Sequence, residues 1–305
     1  IQFSGEVKED FPAVMTRMRT LRAQLSRTDS AQRFTGLGVD VFLGQARFAS
    51  AQTVQVGSAT LDFAKAAICT GARASAPPIP GLQEAGYLTN ETIFSLTELP
   101  AKLAIIGAGP IGCELAQAFA RFGSQVYLIE ALHGIMPNED RDAADLVEQA
   151  LVRDGVTLFC CGKELTIQKT ETGKRLTGGS HGRAYDITVD HILVGAGRTP
   201  NVDGLGLEAA GVDYDKTGVT VNDHLRTTNP NIYAAGDICS RYKFTHAADA
   251  MAQIVIQNAL FPHPFGLGTA RVSSLVIPWA TYTDPEIAHV GLYEAEAKER
   301  GHKVE

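Results

Sequence analysis

The 305-residue chain has no excess of positive charge: 27 Lys and Arg stand against 34 Asp and Glu, for a formal net charge of −7. That balance argues against a general nucleic-acid or anionic-membrane surface. No apolar run approaches the roughly 20 residues of a membrane span. There is no initiator methionine, basic n-region or apolar h-region; the chain opens at Ile1 in folded-looking sequence. No signal peptide is therefore expected, and the missing initiator points to the expectation of a piece of a longer protein. Cysteine is scarce. Cys69, Cys113, Cys160, Cys161 and Cys239 form an odd set without metal-type spacing. They suit a reducing cytoplasm better than a disulfide scaffold, and no metal site is expected. The adjacent Cys160 and Cys161 follow an apolar run at 156–159. They are read as ordinary strand residues, because neighbours on a strand point to opposite faces. What remains is globular composition, 45% hydrophobic and 20% charged, with length for about two domains.

The chain is organised around residues 103–130, LAIIGAGPIGCELAQAFARFGSQVYLIE. The apolar run 103–106 predicts a buried parallel strand. The turn Gly107-Ala108-Gly109-Pro110-Ile111-Gly112 follows at once, then a helix to Phe122 that Gly123 ends, then a strand over 124–129 closed by Glu130. Strand, GxGxxG, helix and a placed acid together make the dinucleotide fingerprint. Gly107 allows the tight turn, Gly109 lets backbone approach a pyrophosphate, and Gly112 lets helix and strand pack closely. The helix N-terminus offers N–H groups and partial positive charge to phosphate. Glu130 suits the two hydroxyls of an adenosine ribose and would repel a 2′-phosphate, so NAD(H) is favoured over NADP(H).

Elsewhere, apolar spacing at Phe11, Val14, Met15, Met18, Leu21 and Leu25 predicts a helix over 10–25. Residues 38–44 read as turn, strand, turn, and 48–62 as a β-meander. A buried strand at 65–69 ends in Thr70-Gly71-Ala72, and the proline-stiffened 76–81 makes a crossing. Residues 139–153 read as a helix, 156–160 as a strand, 164–189 as an antiparallel meander, and 192–194 as a buried strand ending at Gly195-Ala196-Gly197. The run Ile232-Tyr233-Ala234-Ala235 leads to Gly236-Asp237, and a helix spans 245–260. Residues 272–282 read as strand-like, and a last helix begins at 292.

In order along the chain, Thr70-Gly71-Ala72, the motif at 107–114, Gly195 to Pro200, Tyr233 to Asp237 and Thr283 to Gly291 resemble the class I pyridine nucleotide–disulfide oxidoreductases. FPAVMTRMRTLR, the PPIPGL crossing, GCELAQAFARFGS and TDPEIAHVG look most like the mercuric reductase-like branch, then dihydrolipoamide dehydrogenases. The resemblance implies an α/β fold with two Rossmann-like FAD/NAD(P)-binding domains, the NAD domain inserted in a split FAD domain, plus the start of an α+β dimerisation domain. The expected bounds are 1–99 and 221–270 for FAD, 100–220 for NAD(P) and 271–305 for the dimerisation domain. It implies that Asp237 binds the ribityl chain of FAD, with Lys243, Phe244, Thr245 and His246 beside the flavin. Thr70, Gly71 and Ala72 would pass its phosphates or adenine side, and Ala46 would meet the adenine through main chain only. It implies that Gly107, Ala108, Gly109, Pro110, Ile111, Gly112, Cys113, Glu114 and Glu130 bind NAD(H), with Gly197 on the nicotinamide side. Glu114 is open to a second reading as a helix-surface acid, and His246 equally to one as a packing residue.

The implied activity is passage of hydride from NAD(P)H to FAD and on to a redox disulfide that reduces mercuric ion. The alternatives are a dihydrolipoamide dehydrogenase-type reaction, or a flavin NADH oxidase without a disulfide. A cytoplasmic homodimer is implied. The family's first GxGxxG, its redox cysteine pair and its C-terminal His-Glu pair have no counterpart in these 305 residues, so no catalytic residue is expected within the stretch. Glu130 also departs from the many mercuric reductases that take NADPH.

Overall fold

The computed structural model describes residues 9–304. They form two compact units. The first comprises the residues up to Leu37, Ala74–Gly197 and Ala280–Ala288; the second comprises Gly38–Arg73, Arg198–Trp279 and the residues from His289 onward.

The first unit is built on a parallel four-stranded sheet in the order His191–Val194, Lys102–Ile106, Gln125–Ile129, Thr157–Phe159. Its strands are apolar without a break because both faces are covered. Alternation sends successive side chains to opposite faces. Leu103 and Ile105 join Val126 and Leu128 under the helices Pro110–Arg121 and Arg141–Arg153, against Cys113, Ala116, Phe119, Val147 and Leu151. Ala104, Ile106, Ile192 and Val194 join the opposite cluster with Leu82, Ala85, Ile167, Leu176 and Val189. Ile167, Leu176 and Val189 come from the antiparallel meander Lys163–Thr170, Gly173–Ser180, Arg183–Val189.

The helix Phe11–Ser26 starts where Asp10 accepts from the Ala13 N–H at 3.0 Å. Its Phe11 ring lies 5.7 Å from Phe119 and 5.6 Å from Phe122. Each such aromatic pair contributes about 0.5–1.5 kcal/mol beyond burial. The units divide at 37/38, 73/74, 197/198, 279/280 and 288/289. Residues 74–99, expected with the FAD half, share the core of the sheet through Leu82, Ala85 and Ile93.

In the second unit the strand Ile232–Ala234 pairs in parallel with Ala66–Ile68. Ile232 and Ala234 pack with Ile68, Leu207, Val219 and Ile238; Tyr233 and Ala235 pack on the other side with Ala247, Met251 and Val255 of the helix Thr245–Leu260. A separate meander, Ala46–Ser50, Thr53–Val56, Ala59–Asp62, completes it.

Two expected strands take other forms. Residues 38–44 form none, and Leu43 is 84% exposed. Residues 272–282 open with the 3₁₀ turn Val272–Ser274, capped by Asp223, which accepts from the Ser273 N–H and Oγ at 2.8 Å each; only Trp279–Thr281 is strand. A turn so capped has no ladder to join, and Pro278 offers no N–H. No helix among the described residues is long and apolar enough to cross a membrane.

Candidate functional site

The central strand Lys102–Ile106 lies between Gln125–Ile129 and His191–Val194, so its carboxyl end is the point where the sheet's strand order reverses. Open α/β sheets bind ligands at that point. Three segments meet there. Gly107 N–H donates to the Ile129 carbonyl and Gly195 N–H to the Ile106 carbonyl, each at 2.8 Å.

The three glycines of the turn differ in their surroundings. Gly107 adopts φ +102°, and a Cβ there would lie 2.9 Å from Ala196 Cα. A Cβ on Gly112 would lie 1.9 Å from the Gly107 carbonyl oxygen, which is what lets helix and strand approach. Gly109 is different: its φ is −74° and nothing lies within 4 Å of where its Cβ would stand. Its absent side chain leaves room above the helix N-terminus, where Gly109 is the N-cap without any side-chain cap bond and Pro110 takes the first position. Uncapped N–H groups beside open space suit a phosphate.

Glu130 is half-buried at the end of the neighbouring strand. Its Oε2 accepts from the Ala108 N–H at 2.8 Å and its Oε1 from the Leu132 N–H at 3.0 Å. Two donors orient the carboxylate, and each oxygen keeps a lone pair for a ribose hydroxyl. The residues present thus fit the adenosine and pyrophosphate of a dinucleotide. Ile111 is exposed on the first turn. Cys113 lies beneath it and donates to the Ala108 carbonyl at 3.3 Å. Burial first, then the charges of Glu130, Glu114 and Glu148, push the Cys113 thiol far above its ordinary range, which suits packing rather than chemistry. Glu114 accepts from the Tyr282 N–H at 2.8 Å. Gly197, φ +124°, follows the Ala196 that abuts Gly107.

In the second unit, Thr70, Gly71, Ala72 and Asp237 are drawn together by two residues outside the predicted set, Arg198 and Asn201. Arg198 donates to Asp237 Oδ2 at 3.1 Å and to the Ala72 carbonyl at 2.6 Å. Asn201 donates to the Thr70 carbonyl at 2.9 Å from its side chain and to the Gly71 carbonyl at 3.0 Å from its backbone. Lys243 donates to the Asp237 carbonyl, and burial lowers its ammonium pKa against the raising influence of Asp237. Phe244 precedes the helix Thr245–Leu260, whose N-terminus carries no side-chain cap. His246 stacks on Phe244 at 5.4 Å and hydrogen-bonds the Pro278 carbonyl at 2.7 Å. That partner supports its reading as a packing residue. Ala46 stands apart, exposed in the meander and paired with Val56. Free helix N–H groups, an ordered Asp-Arg-Lys cluster and left-handed Gly71 (φ +65°) fit a polyhydroxyl phosphate ligand such as FAD along this half of its length. Burial raises the Cys69 thiol pKa and pushes Cys239 up to about 12, so both stay protonated.

One expectation is overturned in geometry. Cys160 and Cys161 follow the strand Thr157–Phe159 rather than continue it, and Cys161 adopts φ +55°. The alternation that would separate their side chains fails, and both thiols face His133. The sequence gives no local signal for His133, which lies 27 positions before Cys160.

Comparison with known proteins agrees with this geometry. Residues 4–252 match the family described as pyridine nucleotide-disulphide oxidoreductase. Mercuric reductase of Lysinibacillus sphaericus is 34% identical over 305 residues, covering 99% of this chain and 54% of that protein. Dihydrolipoyl dehydrogenase of Bacillus subtilis is 33% identical over 264 residues, covering 85% of this chain and 56% of that protein. The solved structure of the HOCl-induced flavoprotein disulfide reductase RclA of Escherichia coli superposes with a TM-score of 0.83 at 30% identity, covering 95% of this chain and 66% of that one. The chain spans about half the length of the curated relatives it matches. With the glycine turn, the placed acid and the family match covering the same residues, the chain belongs to the pyridine nucleotide-disulphide oxidoreductases.

Proposed function

We propose that this chain is the cofactor-holding part of a FAD-dependent oxidoreductase that oxidises NADH, with the electrons leaving through a redox disulfide to mercuric ion. The observation that carries the reading is Glu130, fixed by the Ala108 and Leu132 N–H groups beside the open space at Gly109. Flavin, when bound, would supply the chemistry of hydride acceptance from the dinucleotide. The chain's own residues orient and select. The turn at 107–112 presents N–H groups to the pyrophosphate, Glu130 takes the ribose hydroxyls and disfavours a 2′-phosphate, and the Arg198–Asp237–Lys243 cluster positions polar groups for the flavin's ribityl and phosphate portion. In domain terms, the inserted first unit would hold NAD(H) and the second would hold FAD.

Mercuric ion as final acceptor is supported by relatives at 33–36% identity. Dihydrolipoyl dehydrogenases at 32–33% support the second reading, a dithiol-disulfide substrate. A cytoplasmic homodimer is proposed with either. The test uses the intact protein, purified yellow and kept anaerobic. NADH should bleach the flavin, and mercuric ion or lipoamide should then restore its colour, the faster of the two naming the acceptor. A protein without flavin, or a flavin that NADH leaves oxidised, would overturn the proposal.

A further inference from the structure

A second cluster of chemistry-bearing side chains lies in the first unit. The ligand atoms of His133, Cys160 and Cys161 all stand within 4.8 Å of one another. His133 Nδ1 is 3.3 Å from Cys161 Sγ, and His181 Nε2 is 2.9 Å from Cys160 Sγ. The two imidazoles face each other edge to face, with centroids 6.1 Å apart. We propose that these four residues form a binding site for a thiophilic d¹⁰ cation of the zinc or cuprous class.

Four observations support it. First, the donor set, two thiols and two imidazoles, is that of closed tetrahedral zinc sites. With Zn–S near 2.3 Å and Zn–N near 2.0–2.1 Å, a tetrahedron places its donors about 3.3–3.8 Å apart. His133, Cys160 and Cys161 already lie within 4.8 Å of one another and His181 stands 2.9 Å from Cys160, so closing the site takes side-chain rotations that bring His181 toward the other two donors. Second, the donors arrive on three separate pieces of chain: the loop after Glu130, the end of the strand Thr157–Phe159, and the hairpin turn at 181–182. Their convergence is a product of the fold.

Third, two of the four carry left-handed backbone, Cys161 at φ +55° and His181 at φ +48°. Non-glycine residues rarely sit there, and such outliers concentrate at ligand clamps. With Gly182 at φ +76°, His181 occupies the first central position of a two-residue hairpin whose two central residues both need positive φ. Asn or Asp would suit that place better. Fourth, the frame is already tied. Cys161 N–H donates to the Leu132 carbonyl at 2.9 Å, Gly162 N–H to the Glu130 carbonyl at 3.1 Å, and Ser180 Oγ to the Cys160 carbonyl at 2.8 Å. The thiol segment is thus held against both the loop of His133 and the turn of His181. His133 and His181 are exposed and Cys160 is buried, so an ion can reach the thiols from solvent.

Binding would convert both thiols to thiolates and release two protons per divalent ion, with no change of oxidation state. The site therefore neither needs nor supplies a reductant.

The test uses the intact protein, reduced, stripped with a chelator and titrated with Zn²⁺ or Cu⁺ against chromophoric chelators. Wild type should bind one more ion than the double variant Cys160→Ser/Cys161→Ser. Co²⁺ should give wild type a tetrahedral spectrum with sulfur charge transfer that the variant lacks. His133→Gln, at an exposed position where folding is not at risk, should weaken binding by about 10-fold or more while circular dichroism stays unchanged. The relative affinities for Zn²⁺ and Cu⁺ identify which cation the site takes. Equal stoichiometry in wild type and the double variant would overturn the proposal. So would recovery of Cys160–Cys161 as a vicinal disulfide in protein that, once reduced, binds neither ion.

Discussion

The Glu130 carboxylate accepts a hydrogen bond from the Ala108 N–H at 2.8 Å, tying the end of one strand to the turn that follows another. This contact makes the acid part of the glycine turn rather than a neighbour of it. It also gives Glu130 two separable tasks, organising the turn and choosing the cofactor.

Glycine substitutions separate folding from binding. Gly112→Ala places a methyl group 1.9 Å from the Gly107 carbonyl oxygen. It should cost about 1–3 kcal/mol of stability as the helix is forced from the strand. Gly109→Ala meets nothing within 4 Å and keeps an ordinary φ of −74°. It should melt like wild type yet raise the KM for NADH about tenfold or more, because its methyl occupies the phosphate's place. Thermal melts and steady-state kinetics on both variants check this. Equal effects on the two quantities would remove the distinction.

Arg198 is predicted to organise the second unit. It bridges Asp237 and the Ala72 carbonyl, with side-chain exposures of 27% for Arg198 and 17% for Asp237. Arg198→Ala should lose about 1–3 kcal/mol, since these are hydrogen bonds to a charged group, and should lower the flavin content of purified protein. Arg198→Lys keeps the charge but not the two-armed geometry, and should recover less than half of the loss. Differential scanning calorimetry and the flavin-to-protein absorbance ratio report both. An Arg198→Ala protein with wild-type melting and full flavin contradicts the assignment.

An acid-sensitive network should be visible in pH-dependent stability. Asp154 lies below the usual carboxylate range. Burial disfavours its charge, but hydrogen bonds from Arg121 and Gln117, at 2.8 Å each, outweigh that cost. The folded state thus prefers the ionised acid. Its stabilisation is present above the unfolded pKa of about 3.9 and is lost as pH falls through the lower folded value. Asp154→Asn should melt lower than wild type at neutral pH, and the gap should narrow below about pH 4. A gap that is constant across that window would show that the charge is not the cause.

How much of this the sequence disclosed depended on how local the cause was. The strand, glycine turn, helix and acid of residues 103–130 were legible because every constraint lies within one supersecondary unit: turn geometry, helix start, strand burial. The helix Thr245–Leu260 carried an apolar stripe and appeared with the expected bounds. Residues 272–282 read as a strand and are mostly not one, because an apolar run has no period that tells a ladder strand from a capped turn. What separates them is Asp223, far away in sequence. Arg198 gives no local signal for the same reason, its partner Asp237 being 39 positions on. For Cys160 and Cys161 the strand rule that sets their side chains apart does not survive a residue with φ +55°.

The central claim, that the turn closed by Glu130 takes NADH, is tested most directly by anaerobic stopped-flow reduction of the intact flavoprotein with NADH and with NADPH. NADH should bleach the flavin at least about tenfold faster, equivalent to roughly 1.4 kcal/mol of selectivity, and Glu130→Gln should narrow the ratio toward unity. Equal rates in wild type, or NADPH the faster, would contradict it.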